Sequence, residues 1–177
     1  MSLLKTILEA NNGAVVKNLA SQFGLDNQQI EGALKNLVPA LAVGASKKVQ
    51  NDGGMNAILD LVNSGNFEND LEQTSKLDSS SLTDGGNSIL GMLLGSKDVS
   101  RNVAGHAAKE TGIDSSILKK MLPVVATLAM GSIAKNKSSL NLGDTGSQGQ
   151  SMLMGFLDAD NDGSVVDDLL GMAKKFF

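Results

Sequence analysis

The chain has 177 residues, a net charge of −4, no Cys, Trp or Tyr, five Phe and one His. Apolar residues make up 41% of it, enough for a buried core, and that core must be aliphatic, built from Leu, Ile, Val, Ala and eight Met. Without Cys there are no disulfides, thiolate metal sites or Cys nucleophiles; the lone His106 excludes metal sites needing two imidazoles and argues against a hydrolytic triad, and the acidic balance argues against a non-specific nucleic-acid binder.

The chain opens MSLLKTILEANNG, with one Lys, a short apolar patch and no small-residue cleavage site. It does not read as a secretory signal, so the expected location is cytoplasmic. From Gln28 to Ser46, apolar residues fall at Ile30, Ala33, Leu34, Leu37, Val38, Leu41 and Ala45, the 3-4 spacing of one helix face. No β-branched or aromatic alternation competes with this pattern. The expected fold is all-α, a single domain over 1–177 arranged as an array of about nine or ten helices.

The stretch Leu19–Leu34 has helix-turn-helix spacing, with Ala20, Gly24 and Ile30 at the small, turn and packing positions. Asn27, Gln28 and Gln29 are its candidate base readers. Glu31 and the single cation Lys35 weigh against DNA, and nucleic acid is not favoured as a partner. The expected loops are 49–54, 75–85 and 136–148. Gly53-Gly54 and Gly85-Gly86 each follow an Asp and precede an apolar helix, which reads as a turn with an entry cap; no Lys-Ser/Thr phosphate motif follows either pair. His106 reads as structural or solvent-facing, and the Met residues as core filler.

Shifted by 88 residues, the stretch 14–47 lies on 102–135 without a gap, with six identities in 34 positions and apolar facing apolar at 14. The shared unit is helix, Gly, apolar residue, Asp, long helix. Gly24 and Gly112 are expected to close a helix in the left-handed conformation, and Asp26 and Asp114 to cap the next one. Gln29, three residues after Asp26, suits a capping box. Pro39 and Pro123 should kink or split the two long helices. The uncharged run 121–134 has fourteen residues, short of the roughly 20 a membrane-spanning helix needs, and reads as a buried core helix. A shorter repeat pairs Gly86-x-Ser88-x-Leu90-x-x-x-Leu94 with Gly149-x-Ser151-x-Leu153-x-x-x-Leu157.

The sharpest chemical signal is the run 157–170, LDADNDGSVVDDLL. Five carboxylates lie within the eleven residues 158–168, and without them the chain would carry +1 rather than −4. Asp at positions 1, 3 and 5 (Asp158, Asp160, Asp162) and Gly163 at position 6 open a loop of the EF-hand type. Hard carboxylate oxygens suit Ca²⁺. Ser164 would offer its backbone carbonyl, and 149–177 would form a helix–Asp-rich loop–helix unit. The usual Glu at position 12 is missing, since Leu169 stands there. A loop one residue shorter lets Asp168 close the site, with Asp167 as the alternative. The competing reading makes Ser164 a helix N-cap with Asp167 three residues on; caps and ligands can share the loop.

The C-terminal Asp158-x-Asp160-x-Asp162-Gly163-Ser164-Val165-x-Asp167-Asp168-Leu169-Leu170-Gly171-Met172 resembles the ending of bacterial proteins grouped as domain of unknown function 937, which are YidB-like. The Gly-Leu/Ile-Asp helix pairs with a proline further on resemble that family too. The resemblance implies a bacterial, all-helical protein without an established enzymatic activity, ending in a degenerate calcium loop. The sequence is therefore read as a non-enzymatic binding or scaffold protein with a structural Ca²⁺ clip and an unnamed protein partner. The alternatives are a DNA-binding regulator using the helix-turn-helix-like units, or an envelope-associated peripheral protein docking through 121–134 and the Lys174-Lys175-Phe176-Phe177 end.

Overall fold

A computed structural model describes residues 2–51, 53–65, 67, 80–143, 146–158 and 174. Among the described residues there are eight α-helices and no strand. They are α1 (Leu3–Glu9), α2 (Ala14–Phe23), α3 (Asn27–Gln50), α4 (Gly54–Ser64), α5 (Ser80–Leu94), α6 (Lys97–Thr111), α7 (Ser115–Lys135) and α8 (Ser147–Leu157). The all-helical class agrees with the sequence reading. Nine or ten helices were expected over the whole chain; the eight are those of the described residues.

The two long helices form the centre. They touch each other, and α1, α4, α5 and α6 each lie against both. The most extensive packing is between α5 and α7, while α2 and α8 lie on α3. One contiguous apolar cluster takes residues from every described helix. A helix that is apolar on all sides must be covered on all sides. Accordingly, every residue from Met121 to Ala134 is buried. By length and composition α7 is long and apolar enough to cross a membrane, with a mean hydropathy of 1.5 and 83% of its most apolar window buried. Docking to an envelope through 121–134 would therefore require the protein to open first.

The duplicated unit is visible in the helix boundaries. Under the 88-residue shift Phe23, the end of α2, falls on Thr111, the end of α6; Asn27, the start of α3, falls on Ser115, the start of α7. Gly24 (φ 67°) and Gly112 (φ 72°) are both left-handed and close their helices on Ala20 O and Ala108 O. Asp26 and Asp114 are both N-caps. Of the 14 apolar matches, twelve are buried in both copies, including Ile30/Leu118, Leu37/Val125 and Ala45/Ile133. The short repeat holds as well. Leu90 and Leu153 are buried, and α5 and α8 end at the matching Leu94 and Leu157.

Two expectations are corrected here. Neither long helix is split at its proline: α3 and α7 run through Pro39 and Pro123. A proline in a helix interior costs about 3 kcal/mol through the lost N–H and the clash with the preceding turn. Burial on all sides over 37–46 and 121–134 offsets that. The Pro123 carbonyl also accepts from the buried Thr127 hydroxyl at 3.1 Å. Second, Gly85-Gly86 is not an entry turn. Both residues lie inside α5, because Gly86 is where α5 approaches α7 most closely: a Cβ there would stand 2.1 Å from the Pro123 carbonyl oxygen. For the same reason residues 80–85 of the expected loop 75–85 are helical. Of the other two expected loops, Val49 and Gln50 belong to α3, and α8 begins at Ser147.

Candidate functional site

The acidic site starts where α8 stops. α8 buries Gly149, Leu153, Phe156 and Leu157, and the Gln150 side-chain amide donates to the Val49 carbonyl at 3.3 Å, tying α8 to the end of α3. At the C-terminus Asp158 leaves the helical conformation (φ −61°, ψ 116°), and its N–H donates to Met154 O at 3.1 Å. Asp158 is only 3% exposed. A buried carboxylate at the negative end of a helix is costly unless positive charge or donors offset it. Of the six expected oxygen donors, Asp158 alone falls on the described residues. Asp160, Asp162, Ser164, Asp167 and Asp168 lie outside them, as does most of the helix–loop–helix unit 149–177. Among the described residues no three His, Cys, Asp or Glu gather as a metal site would require.

The residues that suggested helix-turn-helix recognition have a local structural use. The Gln29 side chain accepts from the Asp26 N–H at 3.0 Å, while the Gln29 N–H donates to Asp26 Oδ1 at 2.7 Å. This reciprocal pair is a capping box that starts α3. Gln29 is thereby held back against its own backbone instead of standing free to read a base edge. The second copy keeps the cap without the box: the Ser116 N–H donates to Asp114 Oδ1 at 2.7 Å, and the position of Gln29 is taken by Ile117. Ser116, through its side chain first and then its backbone N–H, holds the Asp114 carboxyl below its ordinary pKa, with a smaller pull from the charge of Lys119.

The two glycine pairs also find structural uses. Gly53 is left-handed (φ 74°) and precedes α4, and a Cβ on Gly54 would stand 1.6 Å from the Lys48 carbonyl oxygen, so α4 starts hard against the end of α3. Close approach of backbones is why glycine stands at Gly54 and Gly86. His106 sits half-buried on α6.

One feature escaped the sequence reading. Between the end of α5, the start of α6 and the first turns of α7 lies a groove of about 600 Å³. Leu90 and Leu122 form its buried floor; Lys97 and Arg101 come from α6 and Lys119 from α7. Arg101 donates to Asp98 Oδ1 at 2.9 Å, in an exposed i,i+3 pair. The signal available in sequence was Gly95-Ser96-Lys97, a helix stop followed by a helix start. Gly95 is left-handed (φ 76°), and the Ser96 hydroxyl caps α6 by accepting from the Val99 N–H at 3.2 Å.

Compared with known proteins, the chain matches the family model described as bacterial protein of unknown function (DUF937) over residues 5–136. The match contains both helix pairs and ends before α8 and the acidic run. No curated protein and no solved structure matches the chain.

Proposed function

The chain belongs to the DUF937 family of bacterial proteins of unknown function, and from that premise we propose that it is a non-enzymatic helical binding or scaffold protein whose loop 158–168 holds a structural Ca²⁺. The observation that carries the reading is the Asp-x-Asp-x-Asp-Gly run that begins at the first residue beyond α8. In an EF-hand-type loop the first ligand stands at the end of the incoming helix, and the buried Asp158 has that place. Asp158, Asp160 and Asp162 would supply side-chain oxygens, Ser164 its carbonyl, and Asp168 (or Asp167) the closing carboxylate. Five like charges within eleven residues repel, and a divalent cation relieves that repulsion. The ion would then fasten the chain's end, through Leu169 and Leu170, to the helical body. An Asp in place of the usual Glu reaches less far, so millimolar affinity or somewhat tighter is expected.

The test is calorimetric titration of Ca²⁺ into chelator-treated protein, with Asp160→Ala as the comparison. Saturable heat in the unaltered chain, its loss in the variant and a Ca²⁺-dependent rise in melting temperature are expected, because an ion bound only by the folded chain stabilises it. Melting should be followed by circular dichroism, since the chain has neither Trp nor Tyr. The absence of heat and of any melting shift at millimolar Ca²⁺ would reject the site.

A further inference from the structure

We propose that the groove between α5, α6 and α7 binds a small organic dianion, a phosphate monoester with an aliphatic body. The inference is independent of the calcium reading, since none of the groove's residues belongs to 158–168.

Charge is the first argument. Lys97, Arg101 and Lys119 line the groove; nearby, Asp98 pairs with Arg101 and Asp114 lies within reach of the charge of Lys119. Among the described residues the lining itself holds three cations and no carboxylate, in a protein whose net charge is −4. Among the described residues neither Lys97 nor Lys119 forms a salt bridge within 4 Å, and Lys119 meets Asp114 only at longer range. A phosphate monoester carries about −1.5 to −2 near pH 7, a charge that three lining cations attract, and a guanidinium offers it a planar fork of donors.

Shape is the second argument. A volume of about 600 Å³ lies within the range of roughly 300–1,000 Å³ common to small-molecule sites, and leaves room for a body beyond the phosphate itself. Leu90 and Leu122 floor it, and among the described residues no aromatic ring lines it, so the body suited to it is aliphatic, not a stacked base. The Asn87 amide and Ser100 hydroxyl add uncharged hydrogen-bonding groups on the wall.

The third argument is an internal control. Under the 88-residue shift Lys119 falls on Glu31, and both side chains are exposed. Lys97 and Arg101 lie outside the matched stretch, where the copies differ in structure: α6 is continuous over Lys97–Thr111, whereas the residues 88 positions earlier pass from the end of α1 through a 3-10 segment, Ala10–Gly13. At Lys119 the helical frame is shared by the two copies and the cation belongs to one. Packing does not require that cation, because the first copy folds the same frame with Glu31 in its place.

The experiment is a titration of ¹⁵N-labelled protein with n-hexyl phosphate up to 10 mM at pH 7.5, with chelator present so that calcium plays no part. Inorganic phosphate and n-hexanoate are the comparison probes. Saturable shifts at the amides of Ser96, Ser100 and Lys119 are expected, with hexyl phosphate binding at least tenfold more tightly than either comparison probe. Lys119→Glu and Lys97→Glu should each weaken binding at least tenfold. Lys35→Glu, an equal charge change outside the groove, should leave it within twofold. Because the three altered residues lie on the surface, circular dichroism melting should stay unchanged and separate lost binding from lost fold. Absence of saturation, equal weakening by Lys35→Glu, or equally tight binding of hexanoate would each overturn the assignment.

Discussion

The two copies of the helix pair, α2–α3 and α6–α7, agree inside and differ outside. Positions such as Leu34 and Leu122 are buried in both (0% and 1% exposed), while exposed Glu31 faces exposed Lys119 in the comparison. Packing volume constrains an interior position closely, and a solvated charge is constrained only by what it meets. The agreement therefore marks the frame, and the disagreement falls where the residue meets solvent and packing does not fix it. If the frame is carried equally by both copies, Leu34→Ala and Leu122→Ala should each destabilise the protein by about 2–5 kcal/mol in urea unfolding followed by circular dichroism. A cost below about 1 kcal/mol for either would break the equivalence and make one copy an appendage of the other.

The next effect tests the contact through which α5 is seated on the second copy. Gly86→Ala should cost about 1–3 kcal/mol, because its Cβ would meet the Pro123 carbonyl at 2.1 Å and the backbone there cannot give cheaply. Gly85→Ala, one residue away, should do the opposite. Its Cβ would meet nothing within 4 Å, and Ala in a helix interior is favoured over Gly by about 0.5–1 kcal/mol. Opposite signs at adjacent glycines, read from the same unfolding curves, would show that the close approach and not helix propensity fixes Gly86. Equal signs would refute it.

What the sequence made legible follows from range. Gly24, Asp26 and Gln29 act on neighbours within a turn, so spacing alone predicts both the left-handed stop and the capping box, and the shift predicts Gly112 and Asp114 after them. The apolar stripe of α3 was legible for the same reason. Gly85-Gly86 was misread because its reason lies on another helix: Pro123 is 37 residues away from Gly86 in the chain. A split at the prolines was misread because local rules price the lost N–H and leave out the burial that offsets it. The groove was invisible because Leu90, Arg101 and Lys119 converge only once three helices are packed. Of the proposed calcium donors, the spacing was legible, and Asp158 at the end of α8 is the one that falls on the described residues.

A smaller effect separates the two N-caps. Asp26 exchanges two hydrogen bonds with Gln29, whereas Ile117 has no polar side chain to return a bond to the Asp114 backbone. Asp26→Ala should cost about 1 kcal/mol at pH 7, and Asp114→Ala less than that. Thermal melts of the two variants would decide it, and an equal or reversed order would mean that the box adds nothing to the cap.

The smallest effect is the pH dependence of the second cap. The Asp114 carboxyl is held below its ordinary pKa chiefly by Ser116. A depressed folded-state pKa means that the unfolded chain takes up the proton first as pH falls. The stabilisation is then fully present above the unfolded-state value of about 3.9, and it fades as pH drops through the lower folded-state value. Asp114→Ser keeps a capping oxygen but removes the titration. The melting temperature of the unaltered chain should therefore fall relative to Asp114→Ser only below about pH 4, with a constant difference between pH 5 and 7. Salt should shrink that fall, since the carboxyl is exposed and Lys119 acts on it through solvent. A difference that instead grows between pH 5 and 7 would assign the titration to another group and remove Asp114 from the account of the second helix start.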